Sequence, residues 1–338
     1  MEVEINIVNI LEFMLIFVAS LITVLLVEPK IIEFMKKKKH TGRDVHKLEK
    51  VEVAESGGLG IIIGIAVGTV VGVLFFPSSF LPLVSFVLSI LIGGIIGYLD
   101  DLKPLSAKVK PILIAGAGLP IILLQTYVPY LRLPFVGYAR LFIVYPLLIL
   151  LGFSVASNAV NMLDIYNGSM PLTTSIVTGT LLIVSLISRN VIGILLTLIT
   201  LGALLGYYKY NKYPAKVFSG DTGSLAVGSA ITAIAVLARL EIIAVIAMIP
   251  FIINSYEIIA SVGGLKERRE MKNRPIRLRE DGRLEVTEYK KAPVTLARLV
   301  LVKEPLHEHE VVNIFGILTV FSGLLAIITF ILMSMGIF

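Results

Sequence analysis

The sequence predicts an all-α integral membrane protein of about ten transmembrane helices with both termini outside the cytoplasm, and three observations carry that expectation. The 338 residues are 56% hydrophobic and 16% charged, with a mean hydropathy of +0.91, whereas soluble domains carry roughly 25% charged residues. Apolar stretches close to the roughly 20 residues that a crossing helix needs fall at 8–27, 58–76, 81–99, 111–128, 141–157, 172–187, 191–208, 223–238, 242–262 and 311–338. Lys and Arg divide unevenly between the two alternating sets of loops: 26 of the 30 fall in one set, and only Arg132, Arg140, Arg189 and Arg239 in the other. Short cytoplasmic loops retain positive charge, so the richer set is assigned to the cytoplasm. The formal net charge of +6 is then read as topology and attraction to anionic lipid or phosphate, with no need for nucleic acid.

Residues 1–9 carry Glu2 and Glu4 and no basic segment, so no cleavable signal peptide is expected and the first helix is retained. The absence of cysteine excludes disulfides, thiolate metal sites and cysteine nucleophiles. The loop at 28–57 holds a polybasic run, Lys36 to Lys39, suited to lipid headgroups, followed by Arg43, Asp44, His46 and Lys47. Gly60, Gly64, Gly68 and Gly72 then recur at a spacing of four, which places small residues on one helix face as a packing seam.

The third stretch ends in YLDDLKPLSAKVK at 98–110, where Asp100 and Asp101 are adjacent. A charge at mid-bilayer costs roughly 2.5–3.5 kcal/mol on insertion scales, so the pair belongs at an aqueous edge or a polar cavity. Two carboxylates alone could merely solvate a helix end. With Lys103, Lys108 and Lys110 beside them they make a mixed-charge site able to hold a metal ion and a phosphate. The fifth stretch runs into SNAVNMLDIYNGSM. Asn158, Asn161 and Asp164 are spaced by three, so on a helix end they project to one side, either lining a cavity or bonding between helices; Asn167 and Gly168 read as a turn. In FSGDTGSL, Asp221 could cap the next helix, or the flanking glycines could bring backbone amides to an anion.

The region 263–310 is expected to be a cytoplasmic substrate-recognition loop with structure of its own. A turn at Glu280, Asp281 and Gly282 pairs Leu278 with Leu284, Arg277 with Glu285 and Ile276 with Val286, with Gly282 in the left-handed position. Residues 293–302 suit an amphipathic segment on the membrane surface. His307 and His309 could ligate zinc, but only His40 and His46 remain elsewhere, so a hydrogen-bonding role at a phosphate fits better. All six aspartates and all four histidines lie on the cytoplasmic side. Asp100, Asp101, Asn158, Asn161, Asp164 and Asp221 could gather there into one pocket whose oxygen donors suit Mg²⁺ or Mn²⁺ with a diphosphate.

From about residue 28 to 310 the motifs GRDVHK, ESGG, YLDDLKPLSAKVK, NAVNMLDIYNG, FSGDTGSL and PLHEH stand in order. In this the chain resembles the polyprenyl-phosphate N-acetylhexosamine-1-phosphate transferases, glycosyltransferase family 4. KNRPIRLREDGRLEV looks closest to the branch that makes dolichyl diphosphate N-acetylglucosamine, the first step of N-glycan assembly. Two departures stand out: His307, Glu308 and His309 replace the three histidines of the peptidoglycan branch, and Ile165 stands where many relatives have glycine.

The resemblance implies a single polytopic domain over 1–338 in a cell membrane with its active site on the cytoplasmic face, and the small size and lack of cysteine point to a prokaryotic, archaeal membrane. It implies Mg²⁺, or Mn²⁺ in its place, held by Asn161 and Asp221. Asp100 and Asp101 would lie beside the reacting phosphates, the first accepting a proton from the lipid phosphate, and Lys110 would neutralise charge. Asp221 would serve catalysis as well as the metal. Asn158, Asp164, Asn167, Lys272, Arg274 and His307 would hold the nucleotide sugar. The implied partners are UDP-GlcNAc, a polyprenyl or dolichyl phosphate and the bilayer, and the assembly admits a homodimer. The implied reaction is attack of the lipid phosphate on the β-phosphorus with UMP leaving. The alternatives are a relative using another UDP-HexNAc or undecaprenyl phosphate, a covalent aspartyl route, and, in another class, a cation-coupled transporter.

Overall fold

Hydrocarbon offers no partner to backbone N–H and C=O groups, so apolar runs close their hydrogen bonds internally as helices. The computed structural model describes residues 7–49, 51–266, 273–289 and 291–336. In chain order these form α1 (Ile7–Lys37), a hairpin of β1 (Thr41–Arg43) and β2 (Glu52–Ala54), α2 (Gly58–Phe75), α3 (Phe80–Leu102), α4 (Val109–Ala115) and α5 (Leu119–Leu123). A second hairpin, β3 (Tyr130–Leu133) with β4 (Gly137–Arg140), precedes α6 (Val144–Leu163), α7 (Ser169–Ile187), α8 (Val191–Asn211), α9 (Gly220–Leu237), α10 (Glu241–Ala247) and α11 (Ile249–Val262). The third hairpin, β5 (Ile276–Leu278) with β6 (Leu284–Val286), leads to α12 (Leu296–Val300) and α13 (Glu308–Ser334). Among the described residues eight helices are long and apolar enough to cross a membrane, and the bent pair α10–α11 makes a ninth. The chain is thus a multi-pass, mostly helical membrane protein.

The core is α9. From Thr222 to Leu237 every side chain on it is buried, because α2, α3, α6, α8 and α10 surround it. At the glycine seam of α2, Gly60, Gly64 and Gly68 face Glu28, Val24 and Ser20 of α1, as their spacing requires. Two glycines bring backbones together at the start of α9: a Cβ on Gly97 would overlap the Asp221 carbonyl, and one on Gly58 would overlap Gly223.

Three expected spans take a different form. The stretch at 111–128 becomes α4, a 3-10 turn at Gly116–Gly118 and α5. Gly116 and Gly118 are poor helix formers and Pro120 lacks an N–H, so the helix breaks. Its 15 residues, Val109–Leu123, cover only about 22 Å at 1.5 Å per residue, against a hydrocarbon thickness of about 30 Å. The stretch at 242–262 bends by 67° between α10 and α11, where Pro250 stands in the first turn of α11. The first helix passes Val27 and continues through Pro29 to Lys37, so part of the basic run is helical.

The third hairpin forms in the register expected from its turn, Leu278 opposite Leu284 and Ile276 opposite Val286, with Gly282 at φ +79°. It is anchored by Leu284 N donating to Leu306 O at 2.7 Å, next to the start of α13. In the segment at 293–302 only α12 is helical; Thr295 caps it by accepting from Arg298 N at 3.0 Å. Leu296 and Ala297 are buried while Leu299 and Val302 face outward, so the segment has the two faces that its composition suggests.

Candidate active site

Adjacent residues on a helix point about 100° apart, so Asp100 and Asp101, in the last turn of α3, do different work. Asp101 accepts from Asp221 N at 2.7 Å, Thr222 N at 3.2 Å, Thr222 Oγ1 at 2.6 Å and Ser56 Oγ at 2.8 Å. The first amides of a helix have no partner within it, and here a carboxylate from another helix supplies one. Asp221 therefore is not the cap of α9 but its second residue, and its side chain is left for the site.

That side chain meets Lys110, on the first turn of α4. The Lys110 ammonium contacts Asp221 Oδ2, Asp100 Oδ2 at 2.9 Å and Asn161 Oδ1 at 3.5 Å. Asp100 also accepts from the Leu105 amide. Asn161 donates to Asp221 Oδ1 at 2.6 Å and Ser224 Oγ at 2.8 Å. Three oxygens from α3, α6 and α9 thus converge on one cation. Hard divalent ions use this donor chemistry: one or two carboxylates, a neutral oxygen and the remainder from phosphate. The converging donors are two carboxylate oxygens and one amide oxygen, with no sulfur or imidazole nitrogen among them, a set that fits Mg²⁺ better than zinc.

A second cluster stands a few residues along the chain from Asn161. After α6 the backbone turns at Gly168 with φ +85°, and buried Asn167 donates through Nδ2 to Asp44 Oδ2 at 3.0 Å and through its amide to Glu308 Oε1 at 2.7 Å. Lys47 Nζ lies 2.9 Å from Asp44 and 5.3 Å from the centre of the Tyr213 ring. Asn167, just before α7, so ties the first loop, through Asp44, to the start of α13, through Glu308. A cavity of about 260 Å³ opens beside it, lined by His46, Lys47, Glu49, Tyr213 and Gly282 at the hairpin tip.

Burial alone would raise the Asp44 carboxyl, but hydrogen bonds from Asn167 and Lys47 outweigh it and hold it below its ordinary value of 3.8. A carboxyl lowered by folding stabilises the fold above its unfolded value, and that contribution is lost as pH falls through the lowered one. Asp44→Asn is therefore expected to cost about 3 kcal/mol at pH 7, as for a buried pair stripped of one partner, with the deficit shrinking below pH 3.8. Thermal unfolding in detergent at pH 7 and at acid pH checks this; an equal deficit at both would show that the charge is irrelevant. Burial pushes the Asp164 carboxyl up to about 6, although it accepts from Ser219 Oγ. Burial also raises Glu55, which lies 3.9 Å from His40.

Of the residues singled out in the sequence, Asp100, Asp101, Lys110, Asn161 and Asp221 form one network, which Asp164 approaches through Ser219. Asn167 belongs to the second cluster and His307 reaches it indirectly: His307 N donates to Glu310 Oε2 at 2.7 Å, and its ring stacks on His309 at 5.7 Å, which in turn lies 5.9 Å from the Tyr213 ring. Asn158 lies one turn deeper in α6 and donates to Ser154 O of its own helix at 2.7 Å. Arg274 is exposed, and its carbonyl accepts from Thr287 Oγ1 at 2.7 Å. Lys272 lies outside the described residues. Sequence reasoning gave no role to Ser56, Ser219, Thr222, Ser224 or Glu308. The hydroxyls stand inside the motifs quoted above, but nothing in their type distinguishes them from any other loop serine or threonine.

Residues 83–239 match the model of the family described as glycosyl transferase family 4. A Methanocaldococcus jannaschii protein provisionally named a glycosyltransferase is 35% identical over 85% of this chain and 87% of its own length. A Sulfolobus acidocaldarius protein provisionally named UDP-N-acetylglucosamine–dolichyl-phosphate N-acetylglucosaminephosphotransferase is 30% identical over 68% of this chain and 72% of its own. The phospho-N-acetylmuramoyl-pentapeptide-transferase of Bacillus subtilis is 32% identical over 74% and 82%. The matched segment contains every member of the Lys110 network and ends before the 263–310 loop.

Proposed function

The chain belongs to glycosyl transferase family 4, whose members pass a phospho-sugar to polyprenyl phosphate, and from that premise we propose that it transfers GlcNAc-1-phosphate from UDP-GlcNAc to dolichyl or another polyprenyl phosphate. The archaeal relative's name supports this choice of sugar and lipid. The observation that carries the chemistry is the Lys110 ammonium held between Asp100, Asp221 and Asn161 at the converging ends of four helical elements. Two anionic phosphates repel one another, and a site that joins them must hold cationic charge in place beforehand. The 26-to-4 distribution of Lys and Arg supports a cytoplasmic site.

In this reading an oxygen of the lipid phosphate attacks the β-phosphorus of UDP-GlcNAc. The bond from that phosphorus to the bridging oxygen breaks, and UMP leaves with the electron pair. Lys110 neutralises phosphate charge, and Asp100 takes the proton of the lipid phosphate when it arrives as the monoanion. Asp101 acts as a positioning residue, fixing the start of α9 so that Asp221 stays aimed at Lys110. Enzymes of this family depend on a divalent metal; Asn161 and Asp221 would hold Mg²⁺, which when bound supplies further charge neutralisation. Asn158, Asp164, Asn167, Lys272, Arg274 and His307 are proposed to contact the nucleotide sugar, the last three from the 263–310 recognition loop of a single membrane domain.

Purified protein given UDP-GlcNAc, dolichyl phosphate and Mg²⁺ is expected to release UMP only when both substrates are present. EDTA should stop the release and added Mg²⁺ restore it. No release with any UDP-HexNAc or polyprenyl phosphate, from protein shown to be folded, would overturn this assignment.

A further inference from the structure

We propose that the face opposite the candidate active site carries a binding site for the phosphate of an anionic lipid headgroup, built from Arg132, Arg140 and Arg239 around Tyr130 and Tyr138. Only four of the 30 Lys and Arg residues fall on that side of the sequence pattern, and the fold brings three of the four together. Arg132 lies 5.8 Å and Arg239 5.9 Å from the centre of the same ring, Tyr138, while Arg140 lies 5.5 Å from Tyr130. Like charges gathered from β3, β4 and the turn after α9 repel one another. Cation–π contacts at exposed rings return only part of that cost, and a shared anion would remove it.

The guanidinium donors are also largely unspent. Each guanidinium carries five N–H groups. Arg132 donates one to Met333 O at 2.5 Å. Among the described residues the guanidinium groups of Arg140 and Arg239 donate to no protein acceptor, and none of the three forms an ion pair. Glu241 shares a cavity of about 40 Å³ with Arg132 and Arg239, but its carboxylate already accepts from the Tyr145 hydroxyl. One carboxylate leaves the cluster net positive, and the cavity admits no more than an oxygen or two of a ligand seated at its rim.

The position selects a lipid over a soluble anion. The β3–β4 hairpin stands at the start of α6 and meets Arg239 just past the end of α9, helices of 20 and 18 residues whose other ends form the candidate active site, so it lies close to the boundary between tails and headgroups. Its turn exposes Phe135 at 77% and Val136 at 72%, and Ile143, just beyond it, is 84% exposed. Apolar and aromatic side chains at that depth enter the bilayer edge while arginine heads stay with the phosphates. Arg–phosphate pairing there is charge-assisted and can be bidentate.

The full-length protein in phosphatidylcholine nanodiscs containing a minor fraction of phosphatidylglycerol would be extracted into mild detergent, and its retained lipids counted by native mass spectrometry. Wild type and Arg189→Gln, the remaining arginine of that side, are expected to retain phosphatidylglycerol over phosphatidylcholine by roughly tenfold, about the effect of one charge-assisted hydrogen bond. R132Q/R239Q is expected to lose that preference and to keep its UMP release. Equal retention of the two lipids by wild type, or an undiminished preference in R132Q/R239Q, would overturn the site. If the double variant does not fold, Arg239→Gln alone, at an exposed side chain, decides in the same way. Displacement of the lipid by millimolar inorganic phosphate would overturn the lipid assignment.

Discussion

Asp221→Asn is expected to lower UMP release by roughly a thousandfold, at the upper end of what removing one preorganised electrostatic group costs. The substitution keeps the shape of the side chain and removes the charge that Lys110 and Asn161 share. Among the described residues Lys110 then keeps Asp100 as its one charged partner, and the proposed Mg²⁺ site loses its only carboxylate. The Mg²⁺ concentration for half-maximal rate should therefore rise along with the fall in kcat. A loss under tenfold with an unchanged Mg²⁺ requirement would mean that Asp221 serves packing and not charge.

Gly97→Ala is expected to cost about a hundredfold in kcat without altering any side chain of the site. Its new methyl would meet the backbone carbonyl of Asp221, which cannot move without moving the start of α9. The two helices must separate, and a misplacement of about 1 Å at a reacting group costs roughly that much. Gly94→Ala is the matched control. One turn back on the same helix, its Cβ would press mainly on the Cδ1 end of Ile62, which can rotate away, so activity should stay near wild type. Equal effects of the two substitutions would show that α3–α9 spacing does not set the geometry of Asp101 and Asp221.

Much of this was legible in the sequence because the bilayer sorts residues. Asp100, Asn161 and Asp221 each end or begin an apolar stretch on the lysine-rich side, so topology alone assigns them to one face. The β5–β6 register follows from Gly282, since a three-residue turn with glycine in the left-handed position admits one pairing. The short α4–α5 is hidden by its apolarity, although Gly116, Gly118 and Pro120 announce it, because hydropathy registers apolarity and not helix continuity. The different duties of Asp100 and Asp101 were also hidden: a 100° difference in direction has no meaning until the partner on each side is known. Glu308 and Asn167 are 141 residues apart, and nothing in either residue type announces the pairing.

The clasp between Asp101 and the first amides of α9 also bears on how the chain is made. Asp101 precedes Asp221 by 120 residues, which at about 5–20 residues per second is roughly 6 to 24 s of synthesis. Throughout that interval α3 stands in the bilayer without the helix it packs against most extensively, its glycine face open to lipid. Both carboxylates must wait at the water boundary. A ribosome stalled before residue 220 would hold a chain with most of its spans inserted and no site at all, so the protein acquires its cation-holding centre late and in a single step, when α9 enters the bundle.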